Sequence, residues 1–495
     1  MVRFYLLLFL LPGGSVLLGN NIQITGLNVD YEVDNSGFAL LTFDLSWDNS
    51  WRTSAAPGNW DAAWVFAKFR PDTDGEWQHI VLTTPPAAPT GATIDILDGT
   101  GAMIYAASTT SGSVNYQQTR LRMNLAANGV DWIENLEFQV FGVEMVYVPQ
   151  GAFQLGSDSW GTEVNQFYSG SHPWKRPPYS VSSFNAITVG NGKDMLNFEV
   201  GTATNVPTTI PAGFPKGYRA FYAMKYELSQ QQYVDFFNTL TPTQKALRDL
   251  TDSNGKGTDA VLNRNAIAYD DLAGGDASTT APHVPVGYVS VSDMLAYLDW
   301  SGLRPMTEME FEKLCRGPET PTVEGFAWGT DAIAGWALQP ALLNSPTENI
   351  TNLSLFLPET GYAGYNNTMQ AGSAGPLRSG IYSASLTLNS TRVWSGAGYY
   401  GNMELSGNQA EGVITVSHTD GTQFTNAHGD GALTTAGSAN VLTWPLTQHG
   451  VGTRGGHYGS AAVSLMVADR SSAVTTDTSP DIRHAWLQFR GVRGL

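Results

Sequence analysis

The sequence predicts an α+β, β-rich fold: an N-terminal β-sandwich, then a longer domain that mixes a few helices with much irregular chain. Three observations carry this. Residues 20–142 hold several stretches of apolar–polar alternation. Three amphipathic helices with capping signals lie between 229 and 317. Glycine is abundant, at 53 of 495 residues, and Gly, Ser, Thr and Asn dominate 330–460, where little helical pattern survives. A chain of this length divides into two domains on size alone.

The N-terminus reads MVRFYLLLFLLPGGSVLLGNN. Arg3 precedes an apolar run from Phe4 to Leu11, Pro12-Gly13-Gly14 breaks it, and no acidic residue comes before Asp30. The run is too short to cross a bilayer as a helix, which takes about 20 apolar residues. Residues 1–19 read as a secretory signal peptide cut near Gly19. The mature chain is then expected to be secreted or on the extracellular surface, with no transmembrane segment. Its one cysteine, Cys315, allows no internal disulfide and no Cys-based zinc site.

Residues 20–142 form the sandwich. In LLTFDLSW, Leu41, Phe43, Leu45 and Trp47 face one way and Thr42, Asp44 and Ser46 the other. TRLRMNL and LEFQV repeat the pattern, and turn residues separate the runs. Period two with one apolar face marks half-buried strands, and several in succession mark a sandwich. Trp47, Trp51, Trp60, Trp64 and Trp77 belong either to its core and rim or to a carbohydrate-stacking face.

Residues 143–495 form the second domain, opening on a hairpin-like run around Pro149-Gln150-Gly151. Ser229 caps a helix with Gln232 closing the capping box, and Tyr233, Phe236, Phe237 and Leu240 make its apolar stripe. Ser290 caps a second, with Asp293 at the box position and Gly302 as its stop. Thr307 and Glu310 begin a third that ends at Gly317, with Cys315 as a packing residue inside it.

The net charge is −18, from 44 acidic and 26 basic residues. Without Lys/Arg clusters this excludes nucleic acid as a partner. Two readings remain: a solvated, self-repelling surface, or carboxylates that hold Ca²⁺ outside the cell.

Seven blocks then occur in order: MVYVPQGAFQLGSD, FYAMKYELSQQQYVDFFN, PVGYVSVSDMLAYLDWSGLRPMTEMEFEKLCRG, FAWGT, ELSGNQAEGV, TRGGHY and FRGVR. Together they resemble the formylglycine-generating enzyme/sulfatase-modifying-factor family. The resemblance implies a C-type-lectin-like fold with bound Ca²⁺ over 143–495. The family's oxidases use a late cysteine pair that binds copper. The matching stretch, GTRGGHYGSAAVSLMVADRSS at 452–472, offers Ser460, Ser464, Leu465 and Met466, and no cysteine follows Cys315. A thiolate is the soft ligand for Cu(I), so no copper is expected. Related sulfoxide synthases use a His cluster on a helical domain, whereas the strand-rich region here has only His79.

The family's Ca²⁺-holding GNxWEW block matches Gly407 to Gly412. Asn408 and Glu411 supply hard oxygens there; the alternative is Asn408 in a turn and Glu411 in a salt bridge. His428 and Asp430, in HGDG, form either a local turn or a ligand loop. Arg454, Asp469, Arg470, Arg490 and Arg493 read as buried Arg–carboxylate pairing that pins the last strands; the alternative is a pocket for an anionic ligand. For 452–472 we expect a hairpin: Gly455 and Gly456 turn the chain, Ala461, Val463, Leu465 and Val467 face the core along a strand, and His457 and Tyr458 point outward to bind a partner.

These readings give a non-catalytic secreted or surface protein that binds an extracellular protein or glycan. Two alternatives stay open. One is an oxidoreductase of the same family with a metal site rebuilt from His428, His449 or His457. The other is a self-associating subunit of an extracellular polymer.

Overall fold

The computed structural model describes residues 21–495 apart from 34, 72–74, 160–164, 171–174, 200–204, 272–274, 336, 354–358, 368–373, 386–390 and 446. The expected signal peptide, 1–19, lies outside the described residues.

The N-terminal region is a sandwich of two antiparallel sheets. The outer one has four strands in the order Gln23–Glu32, Asn35–Arg52, Thr110–Asn124, Leu82–Thr83. Its alternation is the one read from sequence: Leu41, Phe43, Leu45 and Trp47 are wholly buried and face the second sheet. Trp47 and Trp64 are core residues, while Trp51, Trp60 and Trp77 are half-buried. Trp60 has Tyr147 stacked on it at 3.9 Å and the Arg52 guanidinium 4.6 Å from its ring centre.

The second sheet explains the shape of the whole molecule. It has eight strands, and its path runs Arg304–Pro305, Gly491–Gly494, Phe221–Met224, Leu136–Val148, Asp61–Pro71, Ala102–Ala106, Ala92–Ile96. The eighth strand, Gln78–His79, pairs with Asp61–Pro71; four of the eight come from the sandwich, three from the C-terminal domain, and Leu136–Val148 belongs to both. The strand Leu136–Val148 runs straight through the boundary expected at 142/143 and pairs with both regions. The two regions are therefore joined by a shared hydrogen-bonded ladder, with no linker between them.

That sheet is covered on both faces. Ala63, Val65, Ala67 and Phe69 pack into the sandwich core. Ala62, Trp64 and Phe66 pack against the helices of the C-terminal domain. A strand covered on both sides carries apolar residues without alternation, which is the pattern of DAAWVFAKF at 61–69. Burying each large side chain here contributes about 1.5–3 kcal/mol.

Helices α1 (Gln230–Asn238), α2 (Pro242–Arg248), α3 (Val291–Trp300) and α4 (Glu308–Arg316) each start at a complete capping box, from Ser229, Thr241, Ser290 and Thr307. Three of the four were expected; α2 was not. Cys315 is buried in α4, and burial pushes its thiol up to about 12. The chain is β-rich, and the rest of the C-terminal domain is short strand pairs and turns, as the C-type-lectin-like expectation required. No helix among the described residues is long and apolar enough to cross a membrane.

Candidate functional site

The stretch 452–472 opens at the end of the strand Val451–Arg454. Gly455 and Gly456 follow with φ of +78° and +62°. A β-carbon on Gly456 would lie 2.7 Å from Leu465 Cδ1 and 2.9 Å from the Ser464 carbonyl. Both the backbone angle and the space require glycine. The expected strand at 461–468 does not form. Ala462–Leu465 is a 3₁₀ turn, with Ser464 N donating to Ala461 O. Val463 is 58% exposed while Leu465 and Val467 are wholly buried. The residues are small or apolar at nearly every position, so no single period distinguishes a strand from a tight turn.

Buried ion pairs hold the stretch in place. Arg454 reaches Glu308 at 3.1 Å and Glu312 at 2.7 Å. Arg470 donates to both oxygens of Glu308, at 2.7 and 2.9 Å. Arg316 also holds Glu312. Arg490 pairs with Glu411 and Arg493 with Asp98. Asp469 instead accepts from Ser471. Such charge-assisted pairs are strong because geometry adds to charge, although Arg316 Nε, Arg454 Nε, Arg470 Nη1 and Arg493 Nε are buried without a partner among the described residues.

Ser460, Ser464, Leu465 and Met466 are what the stretch offers where the resemblance implies the family's cysteine pair. Ser460 Oγ accepts from His457 N at 3.0 Å, and the Ser460 carbonyl accepts from Asn366 N at 2.8 Å. Leu465 is wholly buried among Phe326, Trp328, Ala363 and Tyr365.

The expected binding pair behaves differently from the prediction. Tyr458 is 8% exposed, so it faces inward; its N–H donates to the Asn408 carbonyl at 2.8 Å. Burial pushes its hydroxyl up to about 12. His457 is half-buried and stacks on Trp486 at 5.1 Å, and Trp486 stacks on His484 at 4.5 Å. His484 Nε2 contacts Asp477 at 2.9 Å. Burial lowers His457 to about 4, so it is neutral at pH 7. The sequence signal missed here was Trp486, near in space and distant in sequence.

Asn408 and Glu411 lie behind this turn, wholly enclosed. Asn408 has φ +65°. Its Oδ1 accepts from Leu377 N at 2.7 Å, and its Nδ2 donates to Leu377 O at 3.1 Å and Glu227 Oε2 at 2.5 Å. Glu411 Oε1 accepts from Arg490 at 2.6 and 3.1 Å. Ca²⁺ takes six to eight oxygens. As arranged, these two residues do not fit it: the Asn408 oxygen is already bonded and a guanidinium sits at the carboxylate. Two further glutamates join them. Glu227 Oε1 accepts from Gln409 N at 2.8 Å, and Glu404 Oε1 from Gly380 N at 2.8 Å. Burial, then the neighbouring carboxylates, push Glu227 well above the usual range; burial above all lifts Glu404 to about 7. Glu411 is raised by burial and held back by Arg490.

His428 and Asp430 form the turn. His428 Nε2 accepts from Gly494 N at 2.8 Å, and burial plus Arg493 and Arg304 lower it to about 2. Asp430 is exposed, and its carboxylate accepts from Ala432 N at 2.9 Å. The loop docks on the sandwich, where Lys68 donates to Gly431 O at 2.8 Å. His449 packs beside His418 at 5.3 Å. Among the described residues no group of three or more His, Cys, Asp or Glu side chains is arranged to hold a metal ion.

A family model described as a sulfatase-modifying factor enzyme 1-like domain matches residues 137–495. No curated protein matches the chain. Among solved structures, the chain is similar to PvdO from Pseudomonas aeruginosa, with 18% identity over 71% of this chain and 95% of that one and a TM-score of 0.32.

Proposed function

The chain belongs to the sulfatase-modifying-factor family, and from that premise we infer that this member is a non-catalytic, exported protein that works by binding. The observation that carries the inference is Leu465. It is wholly buried in an aromatic cluster within the stretch that matches the one carrying the family's cysteine pair. Neither a leucine side chain nor the Ser460 hydroxyl captures Cu(I). The arginine–glutamate pairs around Arg454 and Arg470 keep the scaffold rigid without serving chemistry. Fold alone does not set function, so the argument rests on these side chains.

An oxidoreductase rebuilt on His428, His449 or His457 has less support. His428 is committed to a backbone N–H, His457 is stacked on Trp486, and His449 pairs with His418. The surface that supports binding is the half-buried stack of His457, Trp486 and His484. An extracellular protein or glycan is the partner class that fits an exported chain. The test is incubation of the purified protein with copper and a cysteine-containing sulfatase peptide, followed by mass spectrometry. The unchanged peptide mass is the expected result.

A further inference from the structure

The loop 129–135, which leads into the strand Leu136–Val148 at one end of the sandwich, carries Trp132 with 61% of its surface exposed. The other described tryptophans of the sandwich are occupied. Lys225 Nζ lies 4.9 Å from the ring centre of Trp51. The guanidiniums of Arg52, Arg493 and Arg70 lie 4.6, 4.7 and 4.7 Å from those of Trp60, Trp64 and Trp77. Trp47 is buried and donates its indole N–H to Asp61 at 2.9 Å. The Trp132 ring has neither a cation nor another ring against it among the described residues. It is the sandwich tryptophan whose cation is missing.

Acids flank it in the chain. Asp131 and Glu134 are both exposed, and no lysine or arginine pairs with either among the described residues. The nearest acids in sequence beyond them are already used: Glu137 pairs with Arg70 at 2.6 Å, and Glu32, beside Tyr31, pairs with Arg122 at 2.5 Å. The Tyr31 hydroxyl donates to Glu134 Oε2 at 2.6 Å and holds that carboxyl below the usual carboxylate range, so it is charged at pH 7. The same hydroxyl accepts from Ile133 N at 3.1 Å. Val130 N donates to Leu125 O at 3.1 Å, and Leu136 N to Ile133 O at 3.2 Å. These bonds fix the shape of the loop before any partner arrives.

We propose that this loop docks a basic segment of a partner protein, with an arginine or lysine side chain lying on the Trp132 indole beside Asp131 and Glu134. Aromatic faces attract cations through their quadrupole, and tryptophan does so best. The two carboxylates add opposite charge, and a chain of net charge −18 draws basic partners from a distance. The same charge repels nucleic acid and anionic membranes. Each exposed contact of this kind is modest, so the loop is one point of a larger contact. The proposal rests on the reading of the chain as a protein-binding scaffold. Peptide binding at Trp132 and the copper assay probe different residues, so either can fail alone.

The experiment is fluorescence-anisotropy titration of the full chain with a labelled peptide of alternating arginine and glycine, and with its citrulline counterpart, which has nearly the same shape and no charge. The arginine peptide should bind at least about tenfold more tightly than the citrulline one. Trp132→Ala keeps the net charge and should weaken the arginine peptide about two- to fivefold, with Trp132→Phe between the two. Asp131→Asn and Glu134→Gln should each weaken it, the glutamine still accepting from Tyr31. Asp481→Asn removes the same charge from an exposed site on the C-terminal domain and should leave binding nearly unchanged. All five variants should keep the melting temperature, since the positions are exposed. Equal binding of the two peptides overturns the proposal. So does arginine-peptide binding that Trp132→Ala leaves unchanged, which would mean attraction to the acidic surface at large. Binding of a neutral oligosaccharide that Trp132→Ala abolishes and Asp131→Asn leaves intact would also overturn it.

Discussion

Arg490 gives two hydrogen bonds to one oxygen of Glu411, Oε1, and leaves Oε2 buried without a partner among the described residues. Both residues are wholly buried. Arg490 also acts on Glu227, and it shares Glu404 with Arg378. Arg490→Met should therefore strip Glu411 of its partner and weaken the counter-charge at the two neighbouring glutamates. Breaking a buried pair in this way costs about 3–5 kcal/mol, and denaturant unfolding should show a loss of that size.

Glu404 makes a pH prediction. Its folded value, about 7, lies above the ordinary carboxylate value. The stabilising contribution of its protonated form is complete below the unfolded value, near 4.5, and is lost as pH rises through about 7. Lys68 and the buried histidines have lowered values and act in the opposite direction, so the readout is a difference. Glu404→Gln should match the unmutated protein near pH 4.5 and melt progressively higher than it as pH rises to about 7. A difference in melting temperature that is flat with pH would remove the argument.

Chelation gives a third prediction. With Arg490 at Glu411 and Leu377 at Asn408, EDTA should leave the melting temperature unchanged. A ligand at 100 times its Kd adds about 2.7 kcal/mol, so a stabilising Ca²⁺ would be easy to detect as a fall of several degrees.

The turn at 462–465 separates two side chains that the alternating pattern would put on one face. Leu465→Ala should cost about 2–5 kcal/mol, the range for a buried leucine. Val463→Ser, on the exposed side, should change stability by less than about 0.5 kcal/mol. Equal losses at both positions would restore the strand.

What the sequence made legible was local. The capping boxes at Ser229, Ser290 and Thr307 lie within four residues, and all three begin helices. The alternation at Leu41, Phe43, Leu45 and Trp47 marks a strand because only one of its faces is buried. The Arg–carboxylate reading held for Arg454, Arg470, Arg490 and Arg493 because long guanidiniums in a buried C-terminal segment need acids; the partners themselves were not readable. The misses are non-local or degenerate. The shared sheet depends on a pairing between residues 136–148 and 221–224 that no window contains. Glu227 and Glu404 join Glu411 only through the fold. At 461–468 almost every residue suits burial, so the pattern could not choose a conformation.

The most direct test of a silent scaffold is mass spectrometry of a cysteine-containing sulfatase peptide after incubation with this protein and copper. A chain with Ser460, Ser464, Leu465 and Met466 in the matching stretch and no cysteine after Cys315 should return the peptide at its starting mass, with the cysteine intact. Reproducible loss of the thiol at that cysteine, with conversion to formylglycine, would contradict it.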